Sequence, residues 1–172
     1  REYTDKLGRV ILKKVQAVTG ASLNNYQHWA HTYYVFDNLG NLRYVLPPEL
    51  SKTILQNDTY NPSASDLNAW AFQYKYDVRN RMTEKRVPGS DWIYTVYDAR
   101  DRVVATQDGN QRAGTPKRWT FTKYDELNRP VITGIRDTTA TLTQAQMQAA
   151  VDAHYAKASS RLYETYMGTQ TG

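Results

Sequence analysis

One short phrase recurs five times along this chain, and it constrains the fold more than any other feature. Its copies are Tyr3-Thr4-Asp5-Lys6-Leu7-Gly8-Arg9, Val35-Phe36-Asp37-Asn38-Leu39-Gly40-Asn41, Lys75-Tyr76-Asp77-Val78-Arg79-Asn80-Arg81, Val96-Tyr97-Asp98-Ala99-Arg100-Asp101-Arg102 and Lys123-Tyr124-Asp125-Glu126-Leu127-Asn128-Arg129. The pattern is an aromatic residue, Asp, two variable residues, then Gly, Asn or Asp, and usually Arg. A unit that repeats implies an array of one supersecondary element. Arrays build surfaces and containers more readily than they build a single catalytic centre.

Each phrase reads as a β-turn. Asp at its first position bonds the backbone two residues on, and the fourth position takes positive φ to close a three-residue hairpin loop with a bulge. Gly8, Gly40, Asn80, Asp101 and Asn128 occupy that fourth position. Gly enters the left-handed region freely, and Asn and Asp tolerate it next best. No β-branched residue stands there in any copy.

The flanks read as strands. Thr32–Phe36, Phe72–Tyr76, Ile93–Tyr97 and Thr120–Tyr124 precede the turns; Val10–Leu12, Leu42–Leu46, Met82–Val87, Val103–Thr106 and Pro130–Thr133 follow them. Aromatic and β-branched residues dominate these runs. Breakers come next at Pro47-Pro48, Pro88-Gly89, Asp108-Gly109 and Gly134. Each unit is therefore expected to be one hairpin, with neighbouring hairpins paired into an antiparallel sheet. The spacing of the turn Asp residues is uneven: 21 residues from Asp77 to Asp98, 27 from Asp98 to Asp125, 32 from Asp5 to Asp37 and 40 from Asp37 to Asp77. The longer gaps place insertions at about Gln16–His31 and Glu49–Ala69.

Phe36, Tyr76, Tyr97 and Tyr124 form the aromatic column, and Arg9, Arg81, Arg102 and Arg129 the basic one. The arginines are expected to pair with Asp or lie over Tyr rings. Phe72, Tyr74 and Tyr76 alternate with Gln73 and Lys75, as on a strand with one buried face. The strand Ile93–Tyr97 is apolar on both faces, which places it centrally or under a helix. Core packing explains the aromatic excess better than ligand binding does.

These Tyr-Asp turns, above all Tyr76-Asp77 through Arg81 and Tyr97-Asp98 through Arg102, resemble the YD-repeat, or Rhs-repeat, family of very large bacterial secreted or surface proteins. The stretches Thr32 to Leu50 and Phe72 to Gly134 carry the likeness. The resemblance implies hairpins spiralling into a closed β-shell that encloses a C-terminal toxin, a barrel that teneurin-like receptors use for adhesion. The chain departs from the pattern at Thr4, where an aromatic is usual, and at Asn41, where Arg is. It contains no Asp-Pro-x-Gly, so the self-cleaving aspartyl protease of that family is carried over to no residue here.

The fold class expected is mainly β: an array of antiparallel hairpins forming a curved sheet, part of a β-shell, with a C-terminal α-helix. Residues 1–136 form the array and 137–172 the amphipathic helix and tail. That helix is expected over Thr143–Met167, capped by Thr143 and Gln146, with Met147, Val151, His154 or Tyr155, Ala158 and Leu162 on its apolar stripe and Gly168 as its stop. Gln148, Asp152 and Ser159 mark its polar face. Pro48–Leu55 reads as a short helix; Asn57–Asp66, Asp108–Asn110 and Gln111–Lys117 read as loops or turns.

Nothing in the chain carries recognisable chemistry. It holds 172 residues, no Cys and three His, so disulfides and thiol nucleophiles are excluded. His28 and His31 stand three apart without further ligands at useful spacing, and His154 stands alone. No Gly-x-Ser-x-Gly elbow, phosphate loop, dinucleotide fingerprint or His-Glu-x-x-His occurs. Asp5, Asp37, Asp77, Asp98 and Asp125 share one turn position, so a turn role accounts for all five. No catalytic, cofactor or metal residue is assigned. The net charge of +5 with 14 Tyr and 4 Trp permits a nucleic-acid surface, but bulk charge alone carries no argument for one. No run is apolar enough to insert in a membrane.

The expected function is that of a non-enzymatic structural module of a longer, secreted or surface-exposed protein. The start at Arg1, inside a repeat phrase, fits a segment cut from such a parent. Its partners would be other repeats of the parent and a toxin cargo. Unpaired strand edges would also let the segment dimerise. The alternatives are an adhesion module binding glycan or protein, and an enzyme of unknown class.

Overall fold

Stretches of β-formers joined by reversing turns must pair with their sequence neighbours, and they do. The computed structural model describes residues 1–22, 25–56, 61–157 and 160–164, and the chain divides into two compact units, Arg1–Trp92 and Ile93–Gly172. The first unit holds β1 (Glu2–Thr4), β2 (Val10–Gln16), β3 (Trp29–Phe36), β4 (Leu42–Leu46), β5 (Phe72–Tyr76) and β6 (Met82–Arg86). Each strand pairs antiparallel with the next. The second unit holds β7 (Ile93–Tyr97), β8 (Val103–Gln107), β9 (Lys117–Tyr124) and β10 (Pro130–Thr138), again antiparallel in sequence order. The fold is thus mainly β, built from hairpins whose turns are the five repeat phrases.

The gaps between hairpins are filled by helices. α1 (Pro48–Gln56) and α2 (Ala64–Trp70) lie between β4 and β5. α1 packs on β3; its Leu50 is fully buried, and Ser51 donates from its hydroxyl to the Leu46 carbonyl at 3.1 Å. α2 begins inside the stretch expected to be loop. Ser63 caps it, its hydroxyl accepting from the Asp66 N–H; residues 57–60 of that stretch lie outside the described residues. α3 (Gly109–Ala113) likewise replaces the expected turn at Asp108–Asn110. Asp108 and Gln111 form a reciprocal capping box, and β9 already starts at Lys117. Both corrections have one cause. An Asx or Ser residue that opens a turn serves equally well as a helix N-cap, and only the chain beyond decides which.

α4 (Gln144–Tyr155) starts at the Thr143–Gln146 capping box but ends a helical turn after Val151. It does not run on to Met167. Beyond it the chain turns back to the sheet: the Glu164 N–H reaches the Tyr124 carbonyl at 2.8 Å, and the Leu162 carbonyl accepts from Arg102. Leu162 therefore serves through its backbone rather than in a helical stripe. Ala158, Ser159, Met167 and Gly168 lie outside the described residues.

The second unit has the better-defined core. Val96, Val104, Ala105 and Trp119 are buried together, and Tyr94, Tyr124, Leu142, Met147 and Val151 pack against them. β7 is covered by α4, through polar as well as apolar groups. Gln144 donates to the Thr95 carbonyl at 2.8 Å. Gln148 donates to the Tyr97 carbonyl at 2.7 Å and accepts from its N–H at 3.0 Å. The side chain assigned to the helix's solvent face is thus turned inward, because strand backbone polar groups need partners when a helix covers them.

Gly134 is not a breaker. It sits inside β10 opposite Phe121, and a Cβ there would stand 2.8 Å from the Phe121 ring. The ring lies over the glycine and covers backbone that no side chain protects.

Candidate functional site

The five turns share one geometry. In every copy the fourth-position N–H bonds the Asp carbonyl, from Gly8 to Asp5, Gly40 to Asp37, Asn80 to Asp77, Asp101 to Asp98 and Asn128 to Asp125, at 3.0–3.1 Å. The Asp N–H in turn reaches the carbonyl four residues on. The fourth residues have φ of 79°, 86°, 59°, 60° and 62° in chain order. The register shifts by one residue at each turn, as a bulge requires.

Each Asp carboxylate is spent on its own turn. One oxygen accepts two backbone N–H groups, those of Leu7 and Arg9, Leu39 and Asn41, Arg79 and Arg81, Arg100 and Arg102, or Leu127 and Arg129. The other oxygen takes the side chain four residues on: Nε of Arg9, Arg81, Arg102 and Arg129 at 2.7 Å, and Nδ2 of Asn41 at 3.3 Å. Burial by itself pushes the Asp5, Asp37 and Asp77 carboxyls up, but these hydrogen bonds outweigh it and hold all three below the ordinary carboxylate pKa. At Asp125 the Arg129 N–H is the largest influence, with the same result. A depressed folded-state pKa stabilises the fold above the unfolded carboxylate pKa. That contribution fades as pH falls through the lower folded values.

Positive φ at Asp101 makes a direct prediction. Asp101→Val is expected to cost about 1–3 kcal/mol, because a β-branched side chain is strained in the left-handed region. Asp101→Gly keeps that backbone conformation and should cost less. Urea melts of both variants measure the difference; a Val variant no weaker than the Gly variant would remove the strain argument.

The arginines also reach forward. Arg9 lies 4.7 Å from the Phe36 ring centre, and Arg102 lies 4.7 Å from that of Tyr124. The pre-turn tyrosines reach backward: Tyr76 donates to the Leu42 carbonyl at 3.0 Å, and Tyr124 to the Val103 carbonyl at 2.8 Å. Tyr76 and Tyr124 thus bond their hairpins to the ones before them, a role the pattern of strand alternation did not reveal. The fourth-position side chains act too. Asn80 accepts from Asn41 at 3.1 Å, and Asn128 accepts from Arg102 at 2.9 Å. Tyr97 forms its backbone pair with Gln148 of α4.

The histidines have separate settings. His28 Nδ1 accepts from the Ser22 N–H at 3.1 Å, tying down the insertion before β3. His31 is buried in β3, stacked 6.3 Å from the Tyr33 ring; desolvation, with Lys14 nearby, lowers its pKa. His154 meets Tyr155 edge-on. Among the described residues no group of three or more His, Asp or Glu is placed to hold a metal ion. Among them, too, no helix is long and apolar enough to cross a membrane.

No protein-family model and no curated protein sequence matches this chain. Solved structures do. The chain aligns with the Tc holotoxin pore of Photorhabdus luminescens carrying the TccC3-D651A mutation at a TM-score of 0.52 and 15% identity, over 88% of this chain and 7% of that one. The fold occurs in Tc toxin chains. It aligns equally with TcdB2-TccC3 at a TM-score of 0.53 and 15% identity, over 88% of this chain and 7% of that one. Its alignment with TcdB2-TccC3-TEV has a TM-score of 0.52 and 16% identity, over 83% of this chain and 6% of that one. At such identities the likeness to the Tc toxin chains is one of fold, and this chain spans a small fraction of their length.

Proposed function

We propose that this chain is a non-enzymatic structural module of a secreted or surface-exposed Rhs/YD-repeat protein, forming part of a β-shell that encloses or presents a C-terminal cargo. Residues 1–136 supply the hairpin array, and α4 covers β7. The observation that carries this reading is the turn ladder. Five carboxylates, the most numerous acidic groups at any one repeat position, are all bound to their own turns, four of them also to the arginine four residues on and Asp37 to Asn41. A side chain so engaged sets register and is not available as a catalytic acid or base. The shared fold with Tc toxin chains supports the same reading, and one of those structures is described as lacking a hypervariable C-terminal region.

Electron microscopy of the native full-length protein, combined with limited proteolysis, tests the proposal. The expected result is a hollow β-walled particle whose interior density resists protease until the wall is opened. An open array with no enclosed density, or hydrolytic turnover mapped to residues 1–172, would overturn it.

A further inference from the structure

We infer that the turn tips of the first unit are prongs for the surface of an anionic lipid bilayer. Leu7, Leu39 and Val78 enter the acyl boundary, and Lys6 and Arg79 face the headgroups. The inference goes beyond the shell reading and does not depend on it.

The tips carry the most exposed aliphatic side chains. Among the described residues the four most exposed large hydrophobics are Val78 at 99%, Leu7 at 78%, Leu39 at 73% and Leu127 at 66%. All four stand at the second or third position of a repeat turn. Surface aliphatics scattered singly need no explanation, but a set confined to one structural position does. The turn itself does not call for them, since its central positions accept most residue types.

Topology gathers the tips. In the first unit each strand pairs antiparallel with the next, so β1, β3 and β5 run in one direction and end at one edge of the sheet. The three turns there are neighbours. Arg9 Nη1 lies 3.3 Å from where a Gly40 Cβ would stand, and Asn41 donates to Asn80 at 3.1 Å. Successive hairpins are two strand spacings apart, about 10 Å.

That spacing suits a fluid surface better than a protein. A protein interface is built on a contiguous apolar centre. Separate prongs with polar groups between them leave gaps in a rigid partner, whereas lipid closes around each one. The polar chemistry agrees. The Leu7, Gly8 and Arg9 N–H groups are bonded inside their turn, as are their counterparts in the next two turns. Dipping a tip therefore strips water from few backbone donors. Each turn carboxylate is matched by a guanidinium of its own hairpin: Asp5 by Arg9 at 2.7 Å, Asp37 by Arg43 at 3.8 Å and Asp77 by Arg81 at 2.7 Å. Lys6 and Arg79 then set the sign of the tips, and no other acidic residue stands in these turns. Their charge is complementary to an anionic leaflet. The chain would lie on such a bilayer and not span it.

Flotation of the full chain with phosphatidylcholine vesicles, with and without about one-third phosphatidylglycerol, tests the inference. Binding is expected to the anionic vesicles, weakening as salt rises. Leu7→Ser, Leu39→Ser and Val78→Ser should each weaken it about fivefold, and the three together about a hundredfold. Val87→Ser, which follows β6 at the opposite edge of the sheet, should leave it unchanged. Circular dichroism controls for folding of the variants. Because the chain has no Cys, a polarity-sensitive dye can be attached through Leu39→Cys or, as a control, Val87→Cys. On anionic vesicles the dye at position 39 is expected to shift to the blue and to be quenched by acyl-chain quenchers; the dye at position 87 is not. No flotation with anionic vesicles overturns the inference, as does equal flotation with neutral ones or an unshifted dye at position 39. Salt-sensitive binding that survives the triple serine variant means that charge alone attracts the chain, and overturns it too. A protein that occupies the tips while vesicles do not assigns them to protein docking, with the same result.

Discussion

Asp98→Ala is expected to remove about 3–5 kcal/mol of folding stability, the cost of breaking a buried ion pair by taking away one partner. Asp98 is 2% exposed, and Arg102, whose guanidinium it holds at 2.6 Å, has a side chain only 9% exposed. The substitution strands that cation and removes the acceptor of the Arg100 and Arg102 N–H groups. Asp98→Asn retains hydrogen-bonding capacity and should lose less. Asp125→Ala is the internal control: the turn is the same, but Arg129 stays in water and loses little when its partner goes. Chemical denaturation of the three variants decides the matter. Equal losses for Asp98→Ala and Asp125→Ala would show that the turn bonds, not the buried charge, carry the stability.

Trp119→Ala is expected to cost about 3–5 kcal/mol, the range for emptying a large aromatic site in a packed core. Trp119 is 1% exposed and stands with Val96, Val104 and Ala105 at the centre of the second unit, beneath Met147 and Val151 of α4. Its indole N–H has no hydrogen-bond partner among the described residues. Trp119→Phe therefore removes no hydrogen bond and relieves an unmet donor, so it should recover most of the stability lost in the Ala variant. Thermal unfolding measures both. A Phe variant as weak as the Ala variant would mean that the N–H, not the ring, is what the site requires.

The turns were legible because their chemistry is local. The turn hydrogen bonds of Asp5, Asp37, Asp77, Asp98 and Asp125 reach groups no more than four residues away, and positive φ at Gly8, Gly40, Asn80, Asp101 and Asn128 restricts which residue types fit. The same locality made the Thr143–Gln146 cap readable before α4 was seen. It also misled. Asp108 and Ser63 have the same capacity to bond nearby N–H groups, but there the chain continued as α3 and α2. Gly134 read as a stop because glycine usually is one; its place inside β10 depends on Phe121, thirteen residues earlier and directly across the ladder.

By itself the sequence determined where this chain reverses, which residue sits at each bulge, and that the segments between are strands. Those features need only the stereochemistry of a few adjacent residues. Tertiary structure decided which of four equivalent arginines is buried and which is open, since Arg102 acquires Tyr124 and Asn128 from the following hairpin and Arg129 acquires neither. It also decided that Gln144 and Gln148 face a strand rather than water, and that α4 stops at Tyr155, ahead of the contact that Glu164 makes with Tyr124. Burial is a property of partners brought in from some 22 to 60 positions away, and no window of neighbouring residues contains them.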